Sequence, residues 1–317
     1  MSKFKILDYD IIYLSYDEPN ADKNYADLCR KIPWAKRVHG VKGSDAAHKA
    51  CAKLSETDRF ITVDGDNVIK SEFLTKEYDL SNHEDVHWNK EVDFDQCVIS
   101  WTARNTINGL MYGNGGLKCW PKQKVLDMRT HENADPNNPH AQVDFCWDLQ
   151  YIQMNEVYSE IMNNATPHQA WRAGFREGVK MALDRGMRPN IENFYKNHWK
   201  NLHRLYIWLM VGADVENGLY AIYGAREGLY KTMCTDWDFV NVRDFEWLNN
   251  HWEESGGTDL NLTSCLERIE ELGVSLRKHM DLPIGVNPFD AEQSKFFKMV
   301  YQNPSRLSSQ QFINTDI

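Results

Sequence analysis

The sequence predicts an α/β protein in which helices flank a mainly parallel sheet, followed by a helical C-terminal domain. Within the first seventy residues, strand-like and helix-like segments alternate, which is the order that builds a doubly wound parallel sheet. After about residue 165 the hydrophobic period becomes that of helices. We therefore expect an α/β domain over residues 1–160 and a helical domain over residues 161–317.

The first five elements follow from local patterns. Pro33 stops the first helix, and Ser44 is a suitable N-cap for the second, which is rich in alanine. The apolar, β-branched run Arg59–Val63 reads as a short buried strand. The predicted order is strand 9–16, helix 21–31, strand 35–41, helix 44–54 and strand 59–63.

The later elements are less regular. Residues 75–95 are polar and form a connecting segment between strands. Two further strands are predicted over residues 95–103 and 143–154. Residues 110–120 contain many turn-forming residues. Residues 131–140 form a loop that suits a mobile lid. Thr166 and Pro167 mark the start of the first C-terminal helix. The predicted helices there cover 167–182, 194–211, 218–233, 244–252 and 260–279.

Composition indicates a folded intracellular protein. The chain has 317 residues, of which 42% are hydrophobic and 12% aromatic, enough for a substantial core. Seven cysteines without a C-x-x-C pair indicate reduced thiols rather than disulfides or structural zinc. No stretch approaches the roughly 20 apolar residues of a membrane span, and the N-terminus lacks a secretory core, so we expect a cytoplasmic protein without membrane contact.

The net charge of −10 argues against a broad basic face that would hold nucleic acid. It leaves room for a local basic patch, because net charge does not describe how charges are distributed.

Asp64-Gly65-Asp66 follows the strand that ends at Val63. A sharp turn at the carboxyl end of a strand can aim two carboxylates at one point outside the sheet, where ligand crevices of α/β proteins lie. Oxygen ligands of this kind suit Mg²⁺ or Mn²⁺. The alternative is a turn in which both carboxylates only cap backbone groups. The strand in front favours the metal site.

Polar side chains also follow the first strand. Ser15, Asp17 and Glu18 can accept hydrogen bonds from a base or ribose, and Tyr16 can stack on a base. The alternative is that Asp17 or Asn20 caps the following helix.

The second strand leads into His39 and Lys42, which are flanked by glycines before a helix. This arrangement allows a close approach of phosphate or ribose. The spacing fits neither dinucleotide nor P-loop fingerprints, and Lys42 is alternatively a solvated surface residue.

A fourth group surrounds the turn-rich segment. Gly115 and Gly116, next to Asn114, let backbone amides approach a sugar or phosphate without a Cβ in the way. Arg104 and Lys118 are placed to neutralise a departing diphosphate. The alternative is an ordinary hairpin turn.

Asp144 and Asp148 are carboxylates in an otherwise apolar segment. Burial there would raise a carboxyl pKa toward that of a useful general base. The separation of four residues puts both side chains on the same face of a strand or a helix. In this interpretation one carboxylate is the general base and the other has a structural role.

The first C-terminal helix carries two further candidates. His168 is either a third metal ligand or a histidine at the helix entry. Arg172, Arg176 and Lys180 recur every four residues and form a basic stripe for phosphate contact, with a solvated helix face as the alternative.

These constellations resemble the GT-A class of glycosyltransferases over roughly the first 150 residues. Asp64-Gly65-Asp66 matches the Asp-x-Asp motif of that class. More narrowly, residues 14–22 (LSYDEPNAD), 35–43 (AKRVHGVKG) and 55–58 (SETD) resemble glycosyltransferase-like proteins of tailed bacteriophages. Relatives of that group glycosylate hydroxymethylated cytosine in phage DNA and include arabinosyltransferases. The sequence lacks a clear Glu-Asp pair for the catalytic base, which leaves Asp144 and Asp148 as candidates.

The resemblance implies a GT-A-like, Rossmann-like domain that binds a nucleotide sugar, with an acceptor-binding or packing domain after it. Mn²⁺ or Mg²⁺ would be held by Asp64 and Asp66, and arabinose or glucose would move from a UDP-sugar to 5-hydroxymethylcytosine. A protein or polysaccharide acceptor, a non-catalytic virion-associated protein and a metal-dependent nucleotidyltransferase are the alternatives. A phage enzyme of this kind would work in the host cytoplasm.

Overall fold

The computed structural model describes residues 3–80, 93–112, 116–133, 137 and 150–302. The chain divides into two compact units. The first unit comprises Met1–Asn105 and Met111–Met162, and the second comprises Thr106–Leu110 and Asn163–Ile317. The short segment Thr106–Leu110 therefore belongs to the helical unit although it lies inside the sequence of the first.

The first unit contains ten described strands. They are β1 (Lys3–Lys5), β2 (Asp10–Ser15), β3 (Lys36–His39), β4 (Arg59–Asp64), β5 (Asn67–Ile69), β6 (Glu77–Asp79), β7 (Cys97–Asn105), β8 (Met111–Tyr112), β9 (Leu117–Pro121) and β10 (Gln150–Ile161).

An eight-stranded sheet forms the centre of this unit, in the order β3-β2-β4-β9-β7-β10-β5 with β8 paired to β7. The pairs β2–β3, β2–β4 and β7–β10 are parallel, as predicted for a doubly wound sheet. The other half is antiparallel: β9 lies between β4 and β7 and runs against both, and β5 and β8 pair with β10 and β7. The predicted class is confirmed, with a sheet that is mixed because β9 inserts into it. Strands β1 and β6 form a separate antiparallel pair.

Among the described residues, three helices flank this unit: α1 (Ala21–Lys31), α2 (Ser44–Leu54) and α3 (Lys122–Asp127). Successive residues of a strand point to opposite faces of a sheet, so β2 and β4 contribute to two cores. Tyr13 and Val63 belong to one cluster, and Ile12 and Phe60 belong to the other.

The second unit is helical, as predicted. Its helices are α4 (Pro167–Ala182), α5 (Trp199–Met210), α6 (Gly218–Cys234), α7 (Phe245–Glu254), α8 (Leu262–Met280) and α9 (Ala291–Gln302). The helix predicted over 194–211 begins at Trp199, after a 3₁₀ helix over Ile191–Lys196. Helix α9 was not predicted.

Helices α4 and α6 approach each other closely through glycines. A Cβ on Gly174 would lie 1.9 Å from the carbonyl oxygen of Ala221, and one on Gly224 would lie 2.1 Å from that of Trp171. Gly178 and Gly228 are equally confined, by the backbone of the opposite helix. The two glycine pairs therefore set the distance between the helices.

None of the described helices combines the length and the apolar character that a membrane-spanning segment requires.

Candidate functional site

Five strands present their carboxyl ends at one edge of the sheet. In the parallel register Ser15 lies opposite His39, and Leu14 lies opposite Asp64. Because β9 is antiparallel to both β4 and β7, strands β7 and β10 end at the same edge. This is the edge at which ligands bind in open α/β sheets.

The Asp-Gly-Asp turn is held by buried hydrogen bonds. The carbonyl oxygen of Gly65 accepts from the Tyr13 hydroxyl at 2.6 Å and from the Asn24 side-chain amide at 3.0 Å. The backbone of Asp66 accepts from the Met162 N–H at 2.7 Å, and its carboxylate accepts from the Asn67 amide at 2.7 Å. The backbone carrying both carboxylates is therefore fixed from both sides.

Two glycines leave room for carboxylates. A Cβ on Gly65 would lie 2.5 Å from Glu18 Oε2, and one on Gly116 would lie 2.3 Å from the Cβ of Asp64. The Asp64 N–H also donates to the Gly116 carbonyl oxygen at 2.9 Å. The sequence predicted a close approach at Gly116 for a sugar or phosphate, whereas in the structure the group packed there is the Asp64 side chain.

The carboxylates of the site repel one another. Burial raises the pKa of Asp64 to about 7, with further increases from Asp66 and Glu18 and a decrease from Lys118. Burial also raises the pKa of Glu18, again with contributions from Asp66 and from Asp17. A cation placed among these groups would be stabilised by all of them.

His48 of α2 lies within electrostatic range of Lys118. Burial lowers its pKa to about 4, and Lys118 lowers it further, so its imidazole is neutral at pH 7. Its Nδ1 hydrogen bonds with the Ser44 carbonyl oxygen at 2.8 Å, and its ring meets Trp120 edge to face at 5.2 Å. The ring contact packs the helix against β9, the strand that carries Lys118.

The ends of β2 and β3 form a second polar group. His39 Nδ1 lies 2.9 Å from Ser15 Oγ and 3.2 Å from a guanidinium nitrogen of Arg37. Since arginine only donates, Nδ1 is an acceptor and the proton of a neutral His39 is on Nε2. Arg37 also pairs with Asp22 at 2.8 Å and lies over the Tyr25 ring at 5.0 Å. The exposed His39 therefore presents an N–H donor in a fixed orientation.

Other predicted nucleotide contacts lie around this group. The Tyr16 side chain is 40% exposed, and its backbone N–H donates to Glu18 Oε2 at 2.8 Å. Asp17 and Lys42 are exposed near the ends of β2 and β3.

Arg104 and Lys118 are the two cations predicted to lie near a leaving group. The charge of Lys118 lowers the pKa of Asp64. Arg104 instead forms an ion pair with Glu160 on β10. Its charge is therefore partly neutralised by that carboxylate, which the sequence did not indicate.

Four predicted residues lie outside the described part of the chain: Asn114, Gly115, Asp144 and Asp148.

The described residues contain no group of three or more His, Cys, Asp or Glu side chains that could hold a metal ion. His168 belongs to the second unit, where its ring packs against Trp171 at 6.0 Å and Trp252 at 5.5 Å. The role of His168 as a third metal ligand stays a prediction. Asp64 and Asp66 still fit a hard cation, because Mg²⁺ is often held by one or two carboxylates together with substrate phosphates.

The basic stripe on α4 also differs from expectation. Arg172 is only 8% exposed, and the guanidinium groups of Arg172 and Arg176 both lie 4.8 Å from the Phe245 ring centre. Lys180 is half-buried. An open stripe for phosphates is therefore not present at Arg172, because this face of the helix packs inside the unit.

Sequence reasoning missed three residues that shape the site. Arg37 orients His39, and Asn24 anchors the Gly65 carbonyl. Glu132 accepts from the Ser44 N–H at 2.7 Å at the start of α2. Arg37 and His39 are two residues apart on one strand, a spacing that places them on one face and was available as a signal.

Comparisons with known proteins add little. No family model matches the chain, and no curated protein does. Among solved structures, a glycosyltransferase involved in glycosylation of the major capsid of PBCV-1 is 12% identical, covering 50% of this chain and 98% of its own, with a TM-score of 0.27. HddC from Yersinia pseudotuberculosis is 16% identical, covering 47% and 70%, with a TM-score of 0.25.

A third similar structure is the mannosyltransferase PcManGT from Pyrobaculum calidifontis in complex with GDP-Man and Mn²⁺. It is 9% identical and covers 86% of this chain and 87% of its own, with a TM-score of 0.31. At these scores no conclusion about the chain is drawn from the three likenesses.

Proposed function

We propose that this chain is a metal-dependent glycosyltransferase that uses a nucleotide sugar, with a UDP-sugar as donor. The observation that carries the proposal is the edge of the sheet where the Asp64-Gly65-Asp66 turn meets Ser15 and His39. A donor needs one place for a nucleoside and a second place for a diphosphate. The two groups at this edge supply hydrogen-bonding side chains and carboxylates for these tasks.

Asp64 and Asp66 would hold Mn²⁺ or Mg²⁺, which when bound offsets charge on a diphosphate. Lys118 lies close enough to interact electrostatically with Asp64. Its ammonium group would also stabilise the negative charge of the diphosphate. Ser15, Tyr16, Asp17, Glu18, His39 and Lys42 would contact the nucleoside or its phosphates.

In the transfer step, the acceptor hydroxyl oxygen bonds to the anomeric carbon while the bond to the nucleoside diphosphate breaks. The hydroxyl proton passes to a carboxylate, for which Asp144 and Asp148 remain the proposed residues if the configuration inverts. The diphosphate leaves with the bonding electron pair.

The proposed acceptor is 5-hydroxymethylcytosine in phage DNA, with arabinose or glucose as the sugar and the host cytoplasm as the location. A base flipped from the duplex would reach the site. The net charge of −10 favours the alternative of a protein or polysaccharide acceptor.

The test is mass spectrometry of nucleosides from hydroxymethylcytosine DNA incubated with the protein, Mn²⁺ and a panel of UDP-sugars. We expect a pentose or hexose increment on the modified cytosine. Donor hydrolysis without an increment would remove the DNA acceptor but retain the transferase. With neither product from any nucleotide sugar, the proposal fails.

Binding of Mn²⁺ should release protons in a pH-dependent way. The pKa of Asp64 is about 7, so this carboxyl is mostly protonated at pH 6 and mostly ionised at pH 8. A metal requires the ionised form, so binding should release close to one proton at pH 6 and only about a tenth of a proton at pH 8. Calorimetry in buffers of different ionisation enthalpy measures this number. Equal proton release by the Asp64→Asn variant would contradict the assignment.

A further inference from the structure

We infer that the surface formed by Tyr195, Lys196, His198, Trp199 and Lys200, here called the 195–200 surface, binds single-stranded nucleic acid. This inference rests on the proposed function, because the 195–200 surface would hold the DNA strand that carries the acceptor base. Arg172 of the predicted basic stripe is buried, and Arg176 and Lys180 are partly buried, so a DNA acceptor would need a further contact surface.

Two aromatic rings are unusually exposed on this surface. Tyr195 is 69% exposed and Trp199 is 67% exposed. Beside them the chain is firmly anchored, because Phe194 and Asn197 are buried and the Asn197 amide donates to the Ala182 carbonyl oxygen at 2.9 Å. The exposed rings are therefore held on a packed support.

A cation accompanies each ring. The Lys196 ammonium lies 5.5 Å from the centre of the Tyr195 ring, and that of Lys200 lies 5.6 Å from the Trp199 ring. Both lysines are exposed. Flat aromatic faces with adjacent cations match the bases and phosphates that alternate along a single strand.

The local charge points to the same partner. Residues 193–213 contain no Asp or Glu, although the whole chain has 46 of them and a net charge of −10. Helix α5 begins at Trp199 and has no acidic residue in its first turn, so the positive end of its dipole is not offset there. His198 caps the helix by accepting from the Lys200 N–H at 3.2 Å, and its ring stacks on Trp199.

A single strand fits these features better than the other ligands. A duplex hides its base faces, so the two rings would have no role. A neutral oligosaccharide stacks on aromatic rings but gains nothing from two lysines and a segment without acids.

The experiment measures binding of the full-length protein to a fluorescein-labelled oligothymidine by anisotropy, over a range of NaCl concentrations. The wild type should bind the single strand more tightly than a duplex of equal length. Trp199→Ala and Tyr195→Ala should each weaken binding at least about fivefold. Replacing both Lys196 and Lys200 by Gln should flatten the slope of log K against log [NaCl] by roughly 1.4.

Matched controls separate this surface from general effects. Trp34, in the first unit, is 63% exposed, and Lys278 and Lys295 are exposed lysines of the second unit. Trp34→Ala and the double Lys278→Gln, Lys295→Gln variant should bind as the wild type does. Circular dichroism melts check that each variant is folded.

The inference is overturned if the wild type does not bind the single strand, if the aromatic variants bind normally, or if the controls lose as much affinity. It is also overturned if a neutral oligosaccharide binds this surface without salt dependence. Donor hydrolysis, measured on the same variants, should be unchanged. Hydrolysis without strand binding removes only this inference, and strand binding without any donor turnover removes only the proposed function.

Discussion

Replacing Asp66 by alanine should reduce donor turnover on the order of a thousandfold while leaving the fold intact. The carboxylate is one of two proposed metal ligands, and a catalytic metal supplies several kcal/mol of stabilisation, with about 1.4 kcal/mol for each tenfold in rate. The fold should survive because the Met162 N–H is bound by the backbone oxygen of Asp66, which the substitution retains. Mn²⁺ affinity, measured by calorimetry, should fall together with turnover.

Asp58→Ala is the matched control. This exposed carboxylate precedes β4 at the end of the strand opposite to Asp66. The control should retain turnover and Mn²⁺ affinity. Normal turnover of Asp66→Ala, with normal Mn²⁺ affinity, would remove the metal assignment and with it the main support of the proposed function.

Replacing Gly224 by alanine should lower the free energy of unfolding by about 2–3 kcal/mol, an overpacking effect. The new methyl group would lie 2.1 Å from the Trp171 carbonyl oxygen and 2.9 Å from the Phe175 nitrogen. Both are backbone atoms of α4, so the helices must separate. Chemical denaturation followed by circular dichroism measures the change.

The direction of the stability change distinguishes helix propensity from the contact between the two helices. Within a helix, alanine is by itself more favourable than glycine by roughly 0.5–1 kcal/mol. A loss of stability therefore reports the contact between helices rather than helix propensity. Gly228→Ala should act in the same direction, because its Cβ would lie 2.3 Å from the Phe175 carbonyl oxygen. Equal or greater stability in both variants would show that α4 and α6 adjust without cost.

Much of the fold was predictable because its first half is built from neighbours in sequence. The predicted strands and helices up to Asp64 are all present, and the parallel order of β3, β2 and β4 follows from their alternation with helices. The insertion of β9 between β4 and β7 was not predictable, because pairing between distant strands leaves no local pattern. The two Gly-x-x-x-Gly spacings in α4 and α6 are visible in the sequence, and their role becomes clear only once the helices are paired.

The candidate site was partly predictable for the same reason. Asp64, Gly65 and Asp66 follow a recognisable strand and lie at the expected edge of the sheet. The role of Arg37 depends on its pairing across two strands, and the Arg104–Glu160 ion pair depends on the register of β7 and β10. The spacing of Arg172, Arg176 and Lys180 predicts a basic stripe, but it does not reveal that Arg172 is buried against the Phe245 ring.

The bond between the Met162 N–H and the Asp66 carbonyl oxygen has a consequence for biosynthesis. Met162 follows Asp66 by 96 residues (162 − 66), and β5 pairs with the end of β10 across a similar separation. At roughly 5–20 residues per second, a ribosome needs on the order of 5–20 s to make the intervening chain. During that interval the acidic turn exists without the strand that closes it. The nascent protein can assemble β2, β3 and β4 early, but it acquires a complete acidic turn only after β10 has been made.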